Sequence, residues 1–84
     1  MTYRVEVDDR AVRALLRLPI QDVRRIREAI VALGTDPRPP GSRKLTGREG
    51  HRVRVGNYRI LYDVEDDLRR LRIYRIGHRR DVYR

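Results

Sequence analysis

The sequence predicts an α+β fold, with an N-terminal strand and a helical hairpin packed on one face of a mainly antiparallel four-stranded sheet. Three observations predict it. Apolar residues recur at three- and four-residue steps only in the first half of the chain. In the second half they alternate with charged ones, and a glycine–asparagine pair divides two such runs at the spacing of a tight hairpin. The order strand, helix, helix, meander puts both helices on the same side of the sheet.

Tyr3-Arg4-Val5-Glu6-Val7 has the period of a half-buried strand. Asp8 or Asp9 then caps a short helix through about Leu18, with Val12, Leu15 and Leu16 expected to face inward. Pro19 suits the first turn of a second helix. Val23, Ile26, Ile30 and Leu33 form its apolar stripe, Gly34 is the expected C-terminal cap, and the segment from Asp36 to Gly41, with three prolines, forbids continuation. Lys44-Leu45-Thr46-Gly47 reads as a short edge strand or the approach to one. His51 to Val55 and Tyr58 to Val64 are strands joined at Gly56-Asn57, and a second turn near Asp66-Asp67 leads into a last strand from Leu71 to Ile76.

With 84 residues there is room for one core, so residues 1–84 form a single domain. Lysine and arginine total 21 against 12 acidic residues, a net charge of +9, which favours a polyanion or a strongly acidic partner. Lys44 is the only lysine; the arginines that make up the rest pair bidentately with phosphate and stack on bases. The absence of cysteine removes disulfides, thiolate metal sites and cysteine nucleophiles. No apolar run approaches a membrane span and the first residues lack the apolar core of a secretory leader, so the expected location is cytoplasmic, without a membrane partner.

A two-residue turn at Gly56-Asn57 sets Val55 opposite Tyr58, Arg54 opposite Arg59, Val53 opposite Ile60 and Arg52 opposite Leu61. Val53, Val55, Tyr58, Ile60 and Tyr62 then share the face that packs on the helices, and Arg52, Arg54 and Arg59 share the other. Carrying the register through the second turn sets Tyr74 beside Arg59 and Arg72 beside Leu61. Like charges directly opposite on a sheet repel, by roughly 0.2–1 kcal/mol per pair. One such arginine is a solvated surface residue; three on one hairpin indicate an anion site. The C-terminal stretch from Gly77 to Arg84 adds His78, Arg79, Arg80 and Tyr83. Imidazole, guanidinium and phenol are the groups that RNA cleavage uses. The 2′-hydroxyl must lose a proton, the pentacoordinate phosphate needs cationic stabilisation, and the leaving 5′-oxygen must be protonated.

Lys44-Leu45-Thr46-Gly47, the run from His51 to Val64, and Gly77-His78-Arg79-Arg80-Asp81-Val82-Tyr83 together resemble the RelE/ParE toxin superfamily, and its RelE branch in particular. The likeness covers nearly the whole chain. It implies the toxin of a type II toxin–antitoxin system, an endoribonuclease that cuts messenger RNA in the A site of the 70S ribosome without metal or small-molecule cofactor, leaving a 2′,3′-cyclic phosphate and a 5′-hydroxyl. Carried over by position, Arg59 grips the scissile phosphate, Arg79 stabilises it or acts as general acid, and Tyr83 stacks on the substrate base or assists proton transfer. Arg52, Arg72, Tyr74, Lys44 and Arg80 complete the expected RNA-binding set. Arg52 and Arg54 fall where well-studied members carry lysines. Arginine stays protonated in proteins, so Arg54 can polarise the phosphate but not accept the 2′-hydroxyl proton. That role passes to Tyr83, activated by surrounding arginines, or to His78.

Two other functions fit the same residues: a ParE-like inhibitor of DNA gyrase with no chemistry of its own, and an RNA-binding module without catalysis. Either toxin reading implies a cognate acidic antitoxin. That partner would lay a helix or strand over the basic face or displace the C-terminal segment.

Overall fold

In the computed structural model, which describes residues 2–79, 81 and 82, the elements run β1 (Arg4–Val7), α1 (Asp9–Leu16), α2 (Ile20–Thr35), β2 (Arg43–Lys44), β3 (His51–Val55), β4 (Tyr58–Glu65) and β5 (Arg70–His78). The sheet has five strands in the order β1-β5-β4-β3-β2, and only the β1–β5 pair is parallel. The fifth strand is the two-residue β2, which pairs with β3 at the edge. The predicted α+β architecture stands with that one strand added.

Helix packing follows the predicted stripe in α2, where Ile26 and Leu33 are fully buried and Ile30 packs against them. In α1 the expected inward set is corrected. Val12 and Leu16 are 36% and 72% exposed, whereas Ala11 is buried and Leu15 and Leu18 pack on the core. At 100° per residue, positions 11, 15 and 18 share one stripe and positions 12 and 16 lie on the neighbouring one. The small side chain of Ala11 lets α1 sit close on β5. Gly34 is also corrected. It lies inside the last turn of α2, and its carbonyl accepts a 2.7 Å hydrogen bond from the Tyr3 amide. A Cβ there would stand 3.1 Å from Val5 Cγ2, so glycine serves the close approach of β1.

The β3–β4 register is the predicted one, from His51 opposite Tyr62 to Val55 opposite Tyr58. Gly56 has φ +59° at the first central position, which is where a II′ turn requires glycine. The β4–β5 register differs from the expectation by two residues next to the second turn and by three beyond the bulge. The second turn takes in Asp66 to Arg69 instead of two residues, and a bulge near Leu61–Tyr62 leaves Tyr74 as an extra residue on β5. Arg59 therefore faces Gly77, not Tyr74, and Arg72 faces Asp63, not Leu61. The bulge also resets the alternation, which is how Ile73 and Ile76, three residues apart, both reach the same core.

That core lies between the helices and one face of the sheet. It holds Ala11, Ile26, Leu33, Ile60, Tyr62, Leu71, Ile73 and Ile76. Its polar groups find partners: Tyr58 donates to Asp22 at 2.9 Å and Tyr62 to the Pro37 carbonyl at 2.8 Å. Beyond the far end, Asp66 accepts from Tyr3 at 2.6 Å and from both Arg38 nitrogens at 3.1 and 2.9 Å. Those bonds hold its carboxyl at about 2, well below the usual range.

Candidate nucleic-acid interface

The face of the sheet turned away from the helices carries the basic residues. Arg54 lies directly opposite Arg59 on the β3–β4 hairpin, and Arg43 directly opposite Arg52 on the β2–β3 pair. The segment after β2 rises beside them, with Leu45 N donating to the Gly50 carbonyl at 2.9 Å. Between that segment and the hairpin runs a groove of about 720 Å³, lined by Ser42, Arg43, Lys44, Leu45, Thr46, Arg48, Arg52 and Arg59. Five of those residues are cationic and none is acidic. Arg59 Nε is buried there without a hydrogen-bond partner among the described residues. An unsatisfied buried donor costs about 1–3 kcal/mol, and more for a charged group, until an acceptor arrives.

A small apolar island anchors the C-terminal turn to this face. Leu45, Leu61 and Val82 are buried together, with Tyr74 packed against them. Val82 N and Asp81 N both donate to the His78 carbonyl, and the Arg79 amide donates to Asn57 O at 2.9 Å. The chain thus folds back immediately after β5. Gly77 lies under the turn, where a Cβ would meet Val82 at 3.6 Å, an ordinary van der Waals contact. Arg75 Nη2 bonds the Asp81 carbonyl at 3.1 Å from the side.

Among the residues expected to act, Lys44, Arg52 and Arg59 line the groove together, and Arg54 stands beside Arg59. Arg79 is exposed at the end of the hairpin beside Asn57. His78 lies opposite Tyr58, and the two rings meet edge to face at 6.1 Å. Tyr58 belongs to the helix side, so His78 is not brought into the groove. Arg72 sits 3.5 Å from Asp63 and 3.7 Å from Asp8, with its guanidinium 5.6 Å from the Tyr74 ring centroid, toward the other end of β5. Tyr83 and Arg80 lie outside the described residues. Arg43 and Arg48 line the groove without having been singled out. Arg43 was legible once β2 was paired with β3, whereas Arg48 lies in an irregular segment with no period to read. Among the described residues no group of three or more His, Asp or Glu side chains converges as a metal site, and no helix is long and apolar enough to cross a membrane.

The chain matches the family model of the ParE toxin of the parDE type II toxin–antitoxin system over residues 4–83. It is 33% identical to the RelE1 protein of Methanocaldococcus jannaschii, over 100% of this chain and 98% of that protein. In structure it resembles RelE of the archaeal RelE–RelB complex of Pyrococcus horikoshii, with a TM-score of 0.85 and 32% identity over 98% of this chain and 100% of that one. The RelBE2 toxin–antitoxin complex of Mycobacterium tuberculosis gives a TM-score of 0.84 and 28% identity, covering 96% and 95%. The chain belongs to the RelE/ParE superfamily of toxin–antitoxin toxins.

Proposed function

We propose that this chain is a ribosome-dependent endoribonuclease that cuts messenger RNA in the A site, and that a cognate acidic antitoxin holds it in check. The observation that carries the proposal is the groove itself: among the described residues it is lined by five cations and no carboxylate, and the buried Nε of Arg59 has no partner. A phosphodiester supplies the missing acceptor and the missing charge at once. In the reaction the 2′-oxygen forms a bond to the adjacent phosphorus, the bond from phosphorus to the 5′-oxygen breaks, and a cyclic phosphate and a 5′-hydroxyl result. Arg59 and Arg52 hold the non-bridging oxygens as charge builds on them. Arg54 adds to that field. Arg79, from the end of the hairpin, neutralises or protonates the leaving oxygen. Tyr83 takes the 2′-hydroxyl proton, the position of His78 against Tyr58 being less suited to that role. Lys44 and Arg80 hold flanking phosphates, while Arg72 and Tyr74 offer a cation and a ring further along β5.

Two relatives solved as toxin–antitoxin complexes, RelE–RelB of Pyrococcus horikoshii and RelBE2 of Mycobacterium tuberculosis, support the antitoxin partner. The second reading, inhibition of DNA gyrase, is favoured by the ParE family model. One experiment separates them. The purified chain is added to programmed ribosomes and, in parallel, to gyrase with supercoiled DNA. Cuts in the message at A-site codons support the nuclease; accumulation of gyrase-dependent DNA breaks with an intact message supports the inhibitor. Binding without either outcome leaves an RNA-binding module.

A further inference from the structure

β1 pairs with β5 only as far as Ile73, so the second half of β5 has a free edge on that side. The chain turns there, with Asp8 N donating to the Ile73 carbonyl, and α1 packs along β5 beyond it. Arg10, Arg13 and Arg17 follow at helical spacing. At 100° per residue they span one 60° stripe, with Ala14 beside it, away from both the core stripe and the exposed Val12 and Leu16. Together with Arg75 and Ile76, this stripe lines a hollow of about 180 Å³. None of the α1 arginines makes an ion pair among the described residues. Burial, then Arg10 and then Arg48, make the charged form of Arg75 less favourable. Arg48 therefore belongs to both fields: it lines the groove and it acts on Arg75.

We infer that the arginine stripe of α1, with Arg75, is a second binding site for a ribose–phosphate backbone, reached from the groove by way of Arg48. The inference rests on reading the groove as an RNA site and extends the footprint of that reading beyond the cleaved phosphate. An acidic protein segment would satisfy the same charges, but the hollow offers it little to anchor on. Only Ala14 and Ile76 are apolar there, and the exposed apolar residues of α1 lie on a different stripe. A regular row of guanidinium groups without apolar pockets matches a phosphate chain better.

The test uses the full-length chain and 2′-O-methyl RNA, which cannot be cut. Fluorescence anisotropy compares a trinucleotide, long enough for the groove alone, with a dodecanucleotide. The double variant Arg13→Gln/Arg17→Gln, both exposed positions, is checked for an unchanged melting curve. Expected is a dodecanucleotide affinity reduced about tenfold or more, an unchanged trinucleotide affinity, and a salt slope smaller by about 0.7 for each arginine that holds a phosphate. Arg75→Gln should act in the same direction. A short RNA stem-loop run in parallel separates the sources. Selective loss on the dodecanucleotide marks the strand held in the groove, selective loss on the stem-loop marks a neighbouring structured RNA, and either supports the site. Unchanged binding of every RNA overturns it, as does loss confined to a polyglutamate peptide, which would make α1 a protein-docking face. Failure of the groove reading shows elsewhere, as trinucleotide binding indifferent to Arg52→Gln.

Discussion

The two faces of the sheet are built from the same strands by opposite rules. On the helix side the large side chains of the core are apolar or have their polar atom engaged, as Tyr58 does with Asp22 and Tyr62 with Pro37, and among the described residues His51 Nδ1 is the exception. On the outer side Arg54 faces Arg59 and Arg43 faces Arg52, and a buried guanidinium nitrogen has no acceptor among the described residues. The first face is consistent with folding at every level of local choice; the second departs from it in a cluster. Departures of that kind are retained where something outside the fold compensates them. Here the compensating chemistry is anionic, and it concentrates at the groove.

The comparison predicts that the inner face governs stability and the outer face governs activity. The largest effect should be Leu33→Ala, which removes a fully buried side chain from the centre of the inner core. A loss of about 2–5 kcal/mol is expected from urea unfolding, with much of it coming from the cavity left behind. Next comes Arg59→Gln. Removing one donor from a transition-state site typically lowers a rate by about 10²–10³. Cleavage on programmed ribosomes should fall by that order while the melting temperature stays within a few degrees of wild type. If Arg59→Gln unfolds the chain as Leu33→Ala does, the division between the faces is wrong.

Much of this division was legible in the sequence because a tight turn fixes everything near it. Gly56-Asn57 set the β3–β4 register, and with it the sides taken by Val53, Ile60, Arg54 and Arg59. Legibility decayed with distance from that turn. The longer reversal at Asp66 to Arg69 and the extra residue Tyr74 each shift pairing without a strong local signal, and together they moved Arg72 and Tyr74 away from Arg59. The inward face of α1 differs from the expectation because a rotation of a short stripe by about one residue is decided by what it packs against, and Ala11 is too small to stand out in a hydrophobic count. Arg48 entered the groove from a segment with no period at all, so only tertiary structure could place it.

A smaller effect of opposite sign sharpens the contrast. Arg54→Thr removes one member of the like-charged cross-strand pair while keeping a residue suited to a strand. Unfolding should show a gain of about 0.2–1 kcal/mol, as for other opposed pairs on sheets. Trinucleotide RNA binding should weaken in the same variant. A stability loss, or a gain without weaker binding, would mean that the Arg54–Arg59 opposition is already relieved within the chain.

The smallest effect concerns the one strained polar group near the inner face. His51 stacks on Tyr62 with ring centroids 5.7 Å apart, and its Nδ1 is buried without a partner among the described residues. Burial lowers its pKa first, and the charges of Arg38 and Lys44 lower it further, against the opposing pull of Asp63 and Asp66. The folded state therefore binds the proton less readily than the unfolded chain, whose histidine titrates near 6.5. Stability from this group is complete above about pH 6.5 and is lost as pH falls toward the lower folded value. Below about pH 4 the carboxylates take over, Asp66 among them. In the window between, the urea midpoint of the wild type should fall with decreasing pH, whereas His51→Phe, which keeps a ring against Tyr62 but carries no proton, should hold a flatter profile. Parallel profiles across that window would show that His51 is relieved by water or by a rotamer change, and that the inner side of the sheet carries no strained group at all.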